Sequence, residues 1–289
     1  MHYEGNIIRP PSEANSILLQ ATVSCSHNKC TFCGAYKGER FKIKSDEIIM
    51  NDIQYASRFG RHKKRLFICD GDGLIIPQKR LLNILAEIKK QLPWITRVGV
   101  YGNAKSIKMK SLDELKALKE QGLGIVYMGL ESGDDVTLQN VKKFGDSSLM
   151  IEQGQKLKQS GIKISITVLL GLAGPKRSKI HAEKTGEVLS AIDPDYVGAL
   201  SLMLIPGTQM YSEYESGDFV MIDPIQMLTE LKYMIANTHL SNGLFHANHA
   251  SNYLPIRAQL PKDQKSVIQL IDRALSGEIQ LKPEYLRAL

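Results

Sequence analysis

Cys25-Ser26-His27-Asn28-Lys29-Cys30-Thr31-Phe32-Cys33-Gly34 holds three of the chain's four cysteines and follows an apolar run, Ser16 to Val23, that reads as a strand. Three thiolates on one short loop hold three irons of a cubane cluster and leave the fourth iron without a protein ligand. An open coordination position on a metal is where chemistry happens, so this loop is the candidate active centre. The alternative is a structural zinc site made of the same cysteines and His27. Zinc ribbons pair two C-x2-C knuckles and this loop has one, which favours iron and sulfur. Cys69, flanked by apolar residues, reads as a buried and inert thiol.

Outward from the loop the chain alternates strand and helix. Ser45 reads as the N-cap of a helix to Phe59, with Asp46 and Glu47 in its first turn. Strands follow at Arg65 to Cys69, Arg97 to Tyr101, Gly124 to Leu130, Lys163 to Leu170 and Tyr196 to Leu204. The helices between them are Lys79 to Gln91, Ser111 to Gln121 with a capping-box start, Ser147 to Ser160 and Lys179 to Ala191. Repeated strand-helix units imply an α/β fold of parallel strands with right-handed crossovers. Nearly continuous apolar strands suggest a sheet covered on both faces. The pattern stops at six strands, which argues against a full eight-unit barrel. Gly-rich or acidic clusters follow strands one, two, four and five, at the edge where such sheets bind ligands. After Gly207 the chain reads as mostly helical, with Asp223 to Thr238 and Lys262 to Ser276 flanking a polar segment, Phe245 to Tyr253.

The 289 residues suffice for one large domain or two ordinary ones, and 43% hydrophobic with 23% charged residues suits a globular enzyme. No apolar run approaches the ~20 residues that cross a bilayer. The start, Met1-His2-Tyr3-Glu4-Gly5-Asn6, lacks the basic-then-apolar pattern of a signal peptide. A cytoplasmic location is therefore expected, and there clustered cysteines point to metal rather than disulfides. A net charge of +7 suits an anionic partner. Only Arg61-His62-Lys63-Lys64-Arg65 is dense, so nucleic acid is a rival partner that is not favoured.

These motifs together resemble the radical S-adenosylmethionine (SAM) superfamily, over roughly two thirds of the chain. The resemblance implies a partial (β/α)6 TIM-like barrel, a [4Fe-4S] cluster on Cys25, Cys30 and Cys33, and SAM on the fourth iron. It also implies reductive cleavage of SAM to a 5′-deoxyadenosyl radical and a flavodoxin- or ferredoxin-type electron donor. The family spacing is C-x3-C-x2-C; here the first gap has four residues, while Phe32 keeps the aromatic position before the last cysteine. Asp70-Gly71-Asp72-Gly73 stands where the family has a Gly-Gly-Glu element that contacts the SAM amine, with Asp72 in place of the glutamate. Glu131-Ser132-Gly133 followed by Lys142-Lys143 resembles the subgroup of oxygen-independent coproporphyrinogen oxidase-like and tRNA-modifying enzymes, with Glu131 on SAM. Leu170-Gly171-Leu172-Ala173-Gly174 is similar to the glycine motif beside the adenosine, and Ile205-Pro206-Gly207-Thr208 recurs in that subgroup. Lys143, Lys176 or Arg177 would meet the SAM carboxylate.

On this reading residues 1–207 form the core and 208–289 a helical extension whose segment 245–253 faces substrate. His249 or Tyr253 is the candidate donor of a proton or hydrogen atom late in the reaction. No cysteines remain for an auxiliary cluster, and the stretch before the first strand leaves no room for a cobalamin domain. A single-cluster reaction on a small anionic substrate is expected, with a tetrapyrrole or tRNA as rivals. The competing classes are a non-enzymatic iron-sulfur carrier and a zinc-stabilised RNA-binding protein.

Overall fold

In the computed structural model, which describes residues 1–288, the first apolar run is two strands, β1 (Ile17–Leu19) and β2 (Thr22–Val23). The cysteine loop leaves from β2 and returns through β3 (Lys42–Ile43), paired antiparallel with it, Thr22 opposite Ile43 and Val23 opposite Lys42. The base of the excursion is thus clamped by a two-stranded ribbon. Next come α1 (Asp46–Phe59), β4 (Arg65–Ile68), α2 (Gln78–Gln91), β5 (Arg97–Tyr101), α3 (Ala104–Lys108), α4 (Leu112–Glu120), β6 (Leu123–Glu131), α5 (Asp135–Asn140) and α6 (Ser147–Gln159). The chain continues through β7 (Lys163–Leu170), α7 (Gly174–Ile192), β8 (Tyr196–Ser201), α8 (Gln209–Ser216), α9 (Pro224–Ala236), β9 (Gly243–Ala247), β10 (Ile256–Leu260) and α10 (Gln264–Leu275). The main sheet runs β1-β4-β5-β6-β7-β8-β9-β10. Its pairs β1–β4, β4–β5, β5–β6, β7–β8 and β8–β9 are parallel, and β9–β10 is antiparallel. The expected α/β fold of parallel strands with a mainly helical C-terminal part is what the chain forms.

Local chemistry explains the helix ends. The Ser45 hydroxyl accepts from the Ile48 N–H at 3.3 Å, and Ser111 and Glu114 close a reciprocal capping box. Helix α7 starts at Gly174, earlier than the expected Lys179, because Pro175 lies in the first turn, where a missing N–H costs nothing. The extension also supplies two strands beyond the expected six. One of them, β9, takes up the first three residues of the polar segment 245–253.

Two compact units divide the chain. In the first (Met1–Asn28, Ala35–Met128 and Lys156–Ile164), β4 and β5 are buried apart from their ends. A fully buried carboxylate, Glu13, accepts from Ser16, Arg97 and the Tyr127 hydroxyl, the last at 2.6 Å. Tyr127, Tyr101 and Phe67 pack edge to face beside it, with ring centroids 5.1 to 6.0 Å apart. In the second unit (Lys29–Gly34, Gly129–Gln155 and Ser165–Leu289), β7, β8, β9 and β10 alternate strictly between buried and more open positions. There the sheet is dry on one face only, unlike the double-covered sheet expected from its apolar content.

Replacing Glu13 by Ala leaves Arg97, Ser16 and Tyr127 without their shared acceptor. We expect urea unfolding to show a loss of about 3 kcal/mol. An unchanged midpoint would mean the network contributes nothing to stability.

Candidate active site

Cys25 belongs to the first unit, Cys30 and Cys33 to the second, and all three are half-exposed, whereas Cys69 is buried. In the first unit the loop entrance is pinned to the turn after β4. Gly71 donates its N–H to the Ser24 carbonyl at 3.1 Å. A Cβ on Gly71 would lie 2.6 Å from Cβ of Cys25 and 3.0 Å from the Tyr36 ring, so only glycine fits. Ser26 donates to Asp72 at 2.5 Å, and the Asn103 amide reaches the same carboxylate oxygen at 2.9 Å. Burial pushes Asp72 up to about 6, against the hydrogen bond from Ser26. Gly73 is bare because Val100 and Ile68 crowd it.

Asn28 lies at the middle of the four-residue first gap. Its φ of 42° is in the left-handed region, which asparagine tolerates better than most residues. Its amide donates to the Tyr36 carbonyl at 2.9 Å and reaches Ser24 Oγ and the Glu39 carbonyl at 3.4 Å.

In the second unit Thr31 sits between two helix ends: its N–H donates to Val141 and its carbonyl accepts from Met210, both at 3.0 Å. Phe32 packs on Val141, Leu172, Leu202 and Met210. Gly34 faces Ile205, whose Cγ2 would be 2.6 Å from an added Cβ. The Ile205-Pro206-Gly207-Thr208 motif therefore seats the C-x2-C half of the loop, and Thr208 caps α8 through the Tyr211 N–H at 3.2 Å.

Four strand ends share one device. Ser24 after β2, Asp70 after β4, Glu131 at the end of β6 and Gly171 after β7 all have left-handed backbones, with φ of 70°, 70°, 65° and 82°. Three are not glycine, and each costs about 1–2 kcal/mol relative to an ordinary backbone.

Glu131 forms an ion pair with Lys143 at 2.9 Å, so the two cofactor-facing candidates are each other's partners. Ser132 turns away into the protein, its hydroxyl 2.7 Å from Nδ1 of the buried His181. Arg177 holds Asp134 through two hydrogen bonds of 2.8 Å. Against the upward push of burial, these bonds and Thr137 draw Asp134 down to about 2. Gly171 donates its N–H at 2.7 Å to Glu230, a fully buried acid on α9 that also accepts from Ser178. Glu230 Oε1 lies 3.5 Å from His181 Nε2. Sequence reading passed over Glu230, His181 and Asn103; a lone acid and a lone histidine in amphipathic helices carry no spacing signal.

His249 Nδ1 faces the Ser251 N–H at 3.2 Å, an obligate donor, so Nδ1 accepts and Nε2 bears the proton of the neutral ring. Burial, then Lys282, holds its pKa below the usual histidine value. The Tyr253 hydroxyl donates to Glu284 at 2.5 Å and accepts from Arg287 at 2.6 Å, and burial raises it to about 12. Ser251 and Asn252 bond to Ser201 and Ala199, so this turn is docked on the end of β8.

The Radical SAM superfamily description matches residues 19–185. An uncharacterized protein of Methanocaldococcus jannaschii is 23% identical over 217 residues, covering 72% of this chain and 66% of that protein. The bacteriochlorophyllide d C-8(2)-methyltransferase of Chlorobaculum tepidum is 23% identical over 256 residues, covering 83% and 54%. The chain thus spans between about half and two thirds of the length of these relatives. Coproporphyrinogen III oxidase of Escherichia coli, a radical SAM enzyme, superposes with a TM-score of 0.57 at 15% identity, covering 76% of this chain and 51% of that one. At that identity the likeness is one of fold. Among the described residues no helix is long and apolar enough to cross a membrane.

Burial disfavours charge on both members of the Glu230–His181 pair, raising the acid to about 7 and lowering the histidine to about 4. The raised acid lowers stability as pH rises through 4.5 to 7; the lowered histidine lowers it as pH falls through 6.5 to 4. The two slopes oppose and largely cancel each other, while Asp72 adds its own decline up to about pH 6. Glu230→Gln removes only the acid's slope, so in urea unfolding the variant should gain stability relative to the native protein as pH rises from 4.5 to 6.5. A native-to-variant difference that does not change with pH would refute the raised pKa of Glu230.

Proposed function

The chain belongs to the radical SAM superfamily, and from that premise we propose that Cys25, Cys30 and Cys33 each ligate one iron of a [4Fe-4S] cluster whose fourth iron takes SAM. The residues present fit such a group. The three thiols are half-exposed on one loop, and the Gly71 backbone lies against Cys25 with no room for a side chain between them. Among the described residues no three His, Cys, Asp or Glu side chains already converge as a mononuclear site would need; a cubane takes one thiolate per iron instead. Bound there, cluster and SAM supply one-electron cleavage of the sulfonium and a strong hydrogen-atom acceptor.

The remaining tasks fall to the chain. In our reading the turns at Gly71 and Gly171 let backbone approach SAM, Gly73 serving the packing of Val100 and Ile68 instead, and Glu131, held by Lys143, offers its second oxygen to the amine or ribose hydroxyls. Asp72 acts by holding Ser26, and so Cys25, in place. Ser132 and Arg177 brace the rim through His181 and Asp134. Of the two catalytic candidates, His249 keeps a proton on Nε2 to give, while Tyr253 is engaged by Glu284 and Arg287 and fixes the turn that carries it. Residues 1–207 would carry the cofactors and 208–289 the substrate-facing part, with electrons from a flavodoxin- or ferredoxin-type donor. The substrate would be small and anionic, in a reducing, cytoplasmic setting.

The observation that supports this most is the superfamily match across the cysteine loop and the β4, β6 and β7 turns. Anaerobically reconstituted protein with reductant and SAM should release 5′-deoxyadenosine. Cys30→Ala should lose iron and fall to background. An intact cluster releasing none would leave an iron-sulfur carrier; a colourless zinc protein with salt-sensitive RNA binding would replace the reading altogether.

A further inference from the structure

The strands of the second unit place one unusual row of residues on the open face of the sheet. Thr167 of β7 is in register with Gly198 of β8, Gly198 with His246 of β9, and His246 with Arg257 of β10. Their neighbours before and after in each strand, among them Ile166, Val197, Phe245 and Ala258, are buried on the opposite face. The row therefore occupies the less-buried face, where His246 is half-buried and Arg257 is exposed.

The guanidinium is oriented. With its amide oxygen turned toward Arg257, Asn248 accepts from Nε at 2.9 Å and from Nη2 at 3.1 Å; the opposite orientation would set donors against donors. Two of the five guanidinium N–H groups are used in this way. Of the three left, two lie on the Nη1/Nη2 edge, the geometry that grips a planar carboxylate with two parallel bonds. Among the described residues no carboxylate forms an ion pair with Arg257.

Gly198 leaves the floor of the row bare. A Cβ there would meet nothing nearer than Leu200 Cδ1 at 3.9 Å, an ordinary contact, so packing does not require glycine. A missing side chain between Thr167 and His246 gives a shallow gap on the way to the arginine.

We propose that this face, centred on Arg257 with Asn248 as its brace, His246 beside it and Gly198 as the floor, binds a carboxylate of the substrate. Calling the ligand a substrate rests on the radical SAM reading above; the carboxylate site itself does not. The free edge offers two coplanar bonds, which a planar carboxylate fills with both of its oxygens, whereas a tetrahedral phosphate keeps further oxygens to which this face gives no charged partner. Burial and the neighbouring Arg257 both lower the His246 pKa, so the imidazole offers a neutral hydrogen bond and not a second charge.

The test is a ligand-observed NMR titration of the anaerobically reconstituted holoprotein with malonate, and with inorganic phosphate in parallel. Malonate should bind in preference to phosphate. Arg257→Gln should weaken it about tenfold or more, as loss of a bidentate charged contact does. Arg257→Lys should recover only part of that affinity, because an ammonium lacks the fork. Gly198→Val, which the strand accommodates, should block malonate by filling the floor. Lys265→Gln, on the outer helix α10, should bind as the native protein does. Malonate binding indifferent to Arg257→Gln would overturn the proposal, as would phosphate preferred at Arg257. Release of 5′-deoxyadenosine measured on the same samples separates the two readings. Release without Arg257-dependent malonate binding sinks the site alone, whereas an intact cluster without release sinks the radical reading alone.

Discussion

No side chain fits at residue 71, and the first cysteine owes its place to that fact. The Gly71 backbone lies against Cys25 while its N–H holds the Ser24 carbonyl. One residue on, Asp72 takes the Ser26 hydroxyl. Adjacent residues of one turn thus grip three consecutive residues of the loop. The grip is passed backward as well. The Asp70 carboxylate accepts from Gln20 at 2.5 Å and from the Ile8 N–H at 3.3 Å, and Gln20 in turn donates to the Glu4 carbonyl at 2.8 Å. The loop entrance is fixed by the turn after the neighbouring strand and, through it, by the segment ahead of β1.

A left-handed backbone at Ser24, Asp70 and Glu131 carries a cost that glycine, as at Gly171, would avoid. Asp70 and Glu131 are acids in a backbone region where glycine would be unstrained. Such strain persists where the surroundings fix it, and here they do: Asp70 is held by Gln20, Glu131 by Lys143. Gly129 makes room for that ion pair, since an added Cβ would crowd Lys143 Nζ at 2.9 Å. On the far side, Glu230 reaches from α9 to the Gly171 N–H, so the extension helps set the turn after β7.

The elements with strong periodicity and caps were legible in the sequence. Strands 97–101 and 163–170 fall where their apolar content puts them, and Ser45 and Ser111 cap the helices they announce. The break between β1 and β2 was not legible: Gln20 marks the place, but its partners Glu4 and Asp70 lie far off in sequence and give a single polar residue within an apolar run no local meaning. Strand β10 was passed over: Arg257 and Gln259 alternate with buried Ile256, Ala258 and Leu260, but five residues between Pro255 and Pro261 are too few for the alternation to stand out. At the site, residue types and spacing disclosed the cysteines and the glycine turns. They did not disclose that Arg177, Ser132 and Tyr253 have protein partners, since pairing across distant segments depends on tertiary placement. The four-residue gap, irregular as a pattern, is held locally by the left-handed Asn28 and its three hydrogen-bond acceptors, which its spacing does not announce.

The central claim is that three thiolates leave one iron open and that SAM takes it. Electron paramagnetic resonance of the reduced, anaerobically reconstituted protein, recorded without and then with SAM, tests this most directly. We predict a [4Fe-4S]⁺ signal whose g-values and line shape move when SAM is added. A signal from an intact cluster that is indifferent to saturating SAM would contradict the account.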